Sequence, residues 1–87
     1  MLPSRNQQLA IQARLNMLLG AETFDAVFLG FECGVIFEDT VHVFVPGKAA
    51  ATAIETDFSA QVASAVQSIV KLPIAAVHVL PRNYSDV

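Results

Sequence analysis

Eighty-seven residues make one small domain; 54% of them are hydrophobic, 15% are charged, and the net charge is −3. The acidic balance argues against nucleic acid, whose phosphates are usually met by an excess of Lys and Arg. Cys33 is the only cysteine, so an internal disulfide is excluded; there is no signal-peptide pattern and no run of roughly 18 apolar residues to span a membrane, and a cytoplasmic protein is expected.

A domain of this size buries a modest fraction of its surface, so part of the apolar excess is expected to meet a partner or a second copy. Seven acids (Glu22, Asp25, Glu32, Glu38, Asp39, Glu55 and Asp57) occupy the middle of the chain with one base, Lys48. Such a block suits a basic protein partner or a solvated acidic face.

Residues 1–4 read as a leader, 5–81 as the domain and 82–87 as a polar tail. Ser4-Arg5-Asn6-Gln7 has the form of a capping box, in which the Ser4 hydroxyl accepts from the Gln7 amide and the Gln7 side chain reaches back. A helix follows from about Arg5 to Leu19, with Ile11, Leu15, Leu18 and Gln8 on one face, Leu19 beside them, and Gly20 as the C-cap glycine. A second, short helix runs from about Glu22 to Leu29. Its early acids Glu22 and Asp25 suit the positive end of the dipole, and Phe24, Val27, Phe28 and Phe31 read as core. Gly30 ends it.

Glu32–Phe37 reads as the first strand, with Val35, Ile36 and Phe37 its apolar end. Glu38-Asp39 suggests a hairpin into Thr40–Val45, a β-branched and aromatic strand stopped by Pro46-Gly47. Val41, Val43 and Val45 should face the helices; Thr40, His42 and Phe44 face away. Lys48–Val70 then reads as one long helix whose core stripe is Ala51, Ile54, Phe58, Val62, Ala65 and Ile69. Thr56-Asp57 is its weak point, where Asp57 offers a cap. Lys71 suits the C-terminal dipole, Pro73 forbids continuation, and Ile74–Leu80 is the third strand. The fold class is α+β, in the order α-α-β-β-α-β, with a three-stranded sheet covered by helices.

No reaction centre stands out. His42 and His78 both lie on strands and become neighbours if those strands pair, but two histidines fall short of a zinc site. Cys33 has no histidine near it in sequence and reads as a structural thiol. Pro46-Gly47-Lys48 joins a strand to a helix but lacks the glycines and the Lys-Ser/Thr pair of a phosphate loop. No enzyme activity, metal or cofactor is expected.

Several segments together resemble the N-terminal domain of the bacterial replication initiator DnaA. They are Ala13-Arg14-Leu15 with Leu18-Leu19, then Glu22-Thr23-Phe24 with Val27-Phe28, the acidic hairpin Glu38-Asp39, the proline-ended strand Val41–Pro46, and Ala53–Phe58. The resemblance covers about Gln7 to Leu80 and implies a KH-like fold. It also implies a protein-docking module for replication proteins (initiator, helicase or regulators of initiation), with Glu22, Thr23 and Asp25 facing the partner on the first two helices. The family's self-association aromatic falls at about Gln8, and its helicase-linked aromatic at about Ala49. The positions expected for a homodimer are Gln8, from the resemblance, and Ala49 and Ala53, from the alanine-rich outer face of the long helix.

Two other readings compete. A homo-oligomerisation module would use the alanines of the long helix (Ala49, Ala50, Ala53, Ala60, Ala63). A KH-like single-strand nucleic-acid binder would need Lys48, Arg14 and Lys71 to converge beside Phe44 for base stacking. The KH Gly-x-x-Gly clamp is absent, so nucleic-acid binding is expected to be weak or nil.

Overall fold

The computed structural model describes residues 1–82. Its elements are α1 (Arg5–Leu19), α2 (Ala21–Val27), β1 (Glu32–Phe37), β2 (Thr40–Val45), α3 (Lys48–Ala53), a π-helical turn (Ile54–Phe58), α4 (Ser59–Val70) and β3 (Ala76–Pro81). This is the α+β order expected from the sequence. The sheet runs β1-β2-β3, with β1 antiparallel and β3 parallel to the central β2. A parallel partner for β2 needs a crossover, and the helical stretch from Lys48 to Val70 supplies it.

Both capping-box bonds form: Gln7 N–H donates to Ser4 Oγ and Ser4 N–H to Gln7 Oε1. Ile11 and Leu15 are fully buried on α1, but Leu18 is 45% exposed, against its expected place in the core. The inward face is swung the other way, toward Gln8, Gln12 and the half-buried Leu19. The cause lies in the two glutamines. Gln12 donates to Phe31 O, while the Gln8 amide accepts from Cys33 N–H at 2.9 Å and donates to Cys33 O. Together they fix α1 against the chain entering β1.

Gly20 closes α1 and opens α2 at φ +85°, a conformation that L side chains rarely adopt. α2 stops at Val27, two residues short of the expected end, and leaves Leu29 70% exposed. Phe28 (1% exposed) becomes the aromatic centre of the core, stacked on Phe24 and tilted or edge-on to Phe31 and Phe58 at 5.4–5.8 Å.

β1 contains a bulge between Cys33 and Ile36, which pair with Val43 and Val41. The extra residue turns both inward and leaves the apolar Val35 and Phe37 outside. Gly34 sits in the bulge because a Cβ there would lie 2.6 Å from the Phe44 ring and 3.1 Å from His42 O. On β2, Val41, Val43 and Val45 are wholly buried beneath the helices, as the alternation required.

The crossover bends where the sequence was weakest. Thr56 and Asp57 lie inside the π turn, and α4 starts after Phe58 without a side-chain cap, so Asp57 does not play that part. The inserted residue re-phases the helix. Ala51 and Ile54 are buried before the turn and Val62, Ala65 and Val66 after it, with Phe58 and Ile69 half-buried. Lys71 ends α4 in the left-handed conformation (φ 63°, ψ 29°), a role usually taken by glycine. β3 begins two residues later than expected; Ile74 still packs in the core, and its N–H is taken by Gln67 Oε1.

The leader is part of the sheet's flank. Met1 and Ile36 exchange two backbone hydrogen bonds, and Pro3 is buried. At the other end, Arg82 N–H continues the β2–β3 ladder to Val45 O; the rest of the expected tail, 83–87, lies outside the described residues.

Candidate functional site

Helices cover one face of the sheet, and the other is open. On that open face the register sets His42 beside His78 and Phe44 beside Leu80. The two imidazoles stand 5.4 Å apart, as expected if their strands paired. His42 Nδ1 lies 3.0 Å from Val35 O; a carbonyl oxygen only accepts, so Nδ1 carries the proton there.

A groove of about 480 Å³ crosses this face between the leader and β3, and its walls are mostly apolar. Phe44 is its floor, and the Arg82 guanidinium lies 3.8 Å over the ring while pairing with Glu32 at 3.5 Å. The sequence reading assigned Arg82 to a polar tail. Its partners are remote in the chain, and only the parallel register of β3 on β2 brings them together.

Cys33 borders the groove but belongs to the core. It is 1% exposed, and burial pushes the thiol up from 9.0 to about 12. A thiol so held stays protonated at neutral pH. Among the described residues no three His, Cys, Asp or Glu side chains come together to hold a metal ion.

The basic residues considered for nucleic acid are dispersed over the fold: Arg14 on α1, Lys48 at the start of α3, Lys71 at the end of α4. The cation that does meet Phe44 is Arg82, already paired with a carboxylate.

The second surface is helical. Leu9, Ala13 and Met17 succeed one another at four-residue intervals on α1, so they form one stripe. Leu9 is 54% and Met17 72% exposed, and Ala13 is exposed between them. Leu18 extends this apolar surface toward the Gly20 corner, beyond which α2 presents Glu22 and Asp25, both exposed, and Thr23, half-buried. The only charges on α1 are Arg5 and Arg14. α1 thus presents apolar side chains both inward and outward.

Of the positions expected for self-association, Gln8 is half-buried and its amide is committed to Cys33, Ala49 is exposed, and Ala53 is half-buried. Ala50 and Ala63 pack against the core, which divides the alanine face of the long helix. Among the described residues no helix is long and apolar enough to cross a membrane. The chain matches no family model and no curated protein.

Proposed function

We propose that this chain is a protein-docking module, that it works through the outward surface of α1 and α2, and that its partners are proteins of bacterial replication initiation. One observation supports the docking reading above the others: the uncharged stripe Leu9–Ala13–Met17 on a helix whose opposite face already serves the core. Water-facing positions of a small domain's helix are ordinarily polar. Large exposed apolar side chains gathered on one face are the mark of a surface that is covered in use. Glu22 and Asp25 beside it favour a basic partner and add salt-dependent steering to the encounter. The replication link rests on the resemblance of the helical and strand segments to the initiator's N-terminal domain.

The test is titration of the purified chain with purified replicative helicase and with the initiator, followed by calorimetry. Binding in the micromolar range is expected. Met17→Glu should weaken it at least about tenfold by placing an unpaired charge in the apolar contact, without changing the far-ultraviolet circular dichroism or the melting temperature. Binding that survives Met17→Glu would remove α1 as the contact, and no binding to either protein would remove the replication assignment.

A further inference from the structure

The parallel pairing of β3 on β2 sets two imidazoles side by side on the open face of the sheet. His42 and His78 are Cα partners in the register, and their ring centroids are 5.4 Å apart. Imidazole is the commonest side-chain ligand of divalent transition metals, and it binds through an unprotonated ring nitrogen.

The backbone decides which nitrogen His42 offers. Its Nδ1 donates to Val35 O, so in the neutral ring the lone pair is on Nε2. Val35 belongs to β1 and His78 to β3, which flank β2 on opposite sides. With Nδ1 turned toward β1, the ring edge that carries Nε2 is turned toward β3 and His78. A ring N–H held by a backbone carbonyl is also the usual support behind a metal-bound histidine, because it fixes the ring and makes the other nitrogen more basic. His42 is half-buried and held in this way; His78 is exposed, which leaves its side chain room to turn.

The separation selects among coordination geometries. A zinc–nitrogen bond of about 2.0–2.1 Å puts the metal roughly 3.2 Å from each ring centre. Two such rings have centroids about 5.2 Å apart at the tetrahedral angle and about 4.5 Å apart at a right angle. The observed 5.4 Å lies close to the tetrahedral value and far from the square one.

The surroundings admit a cation. The next pairs along the face are Thr40 with Ala76 and Phe44 with Leu80, so no ammonium or guanidinium occupies the adjoining register positions. The chain's net charge of −3 favours a positive ion. Among the described residues no third His, Cys, Asp or Glu joins the pair, so water completes the tetrahedron. Two histidines fall short of a closed structural zinc site, but they suffice for an open, exchangeable one.

We propose that His42 and His78 form a two-imidazole seat for Zn²⁺, which clips β3 to β2. The seat lies on the sheet face opposite the helices and is independent of the α1 stripe.

Calorimetric titration of the full chain with zinc chloride tests it, with NMR of the imidazole rings read on the same samples. One zinc per chain is expected, with both ring signals moving together and the melting temperature rising with zinc concentration. His78→Ala, at an exposed position, should weaken binding at least about tenfold and leave the zinc-free melting temperature unchanged. Magnesium should produce no response, because that hard cation takes oxygen ligands. Absence of binding up to about 1 mM zinc overturns the proposal. So does zinc binding that His78→Ala leaves unaltered, or that moves neither ring signal, because the ion then sits elsewhere.

Discussion

Truncating Gln8 tests the joint between the first helix and the sheet. Its amide is the partner of both the N–H and the C=O of Cys33, a residue 1% exposed, and so stands in for one residue of a neighbouring strand. Gln8→Ala strands both groups. Leaving a buried backbone donor or acceptor without a partner costs about 1–3 kcal/mol per group. The groove on the open face reaches Gln8 and lets water replace part of what is lost. The expectation is accordingly near the low end for both groups together, about 2–3 kcal/mol, or a fall of about 10–20 °C in melting temperature for a domain of this size. Urea unfolding followed by circular dichroism at 222 nm measures it.

Gln8→Glu separates the two bonds. A carboxylate still accepts from Cys33 N–H but turns an oxygen on Cys33 O in place of a donor. Protonation restores the donor, so the folded state holds that proton more tightly than the unfolded chain. The variant's deficit should therefore shrink as pH falls through the carboxylate range. A Gln8→Ala loss below about 0.5 kcal/mol would mean that the glutamine clamp does not hold β1.

Two more outcomes follow from single residues. The Cys33 thiol is pushed up to about 12 by burial, so between its ordinary 9.0 and about 12 the unfolded chain ionises while the folded one does not. Stability should fall across that window as pH rises, and Cys33→Ala should remove this component of the pH dependence; an unchanged pH–stability slope would refute the burial account. Lys71 occupies the left-handed position after α4, where a side chain is strained, so Lys71→Gly should raise stability by up to about 1 kcal/mol in thermal unfolding. A loss would mean that the lysine's contacts outweigh the strain.

What could be read without coordinates was whatever local chemistry decides. Ser4 and Gln7 lie three apart, so the start of α1 was visible in two letters. The alternation Val41, Val43, Val45 named the buried face of β2, and the acidic pair Glu38-Asp39 named the hairpin. The break in the crossover was placed at Thr56-Asp57, inside the π turn, though its form was not. The misreadings share another cause. Leu18 lost its place in the core because two glutamines, polar on any hydropathy scale, turn α1 through bonds to the chain entering β1, some twenty residues away. Which of Val35, Ile36 and Phe37 faces the core was not legible, because a bulge is one unpaired residue with little local signature beyond Gly34. Arg82 looked like the start of a tail because its partners, Phe44 and Glu32, meet it only through strand register. The α1 stripe was present in the sequence as Leu9, Ala13 and Met17, but a helix apolar on both sides gives weak periodicity, and the core residues took the attention.

The two flanks of the sheet are treated unequally, and this has a consequence for assembly. On the β1 side, the Met1–Ile36 bonds and the bulge at Gly34 blunt the edge; on the β3 side no such device is found among the described residues. A sheet open at both ends would recruit copies without limit and grow into a fibre. With the β1 end obstructed, a strand arriving there must first displace the leader before it can pair.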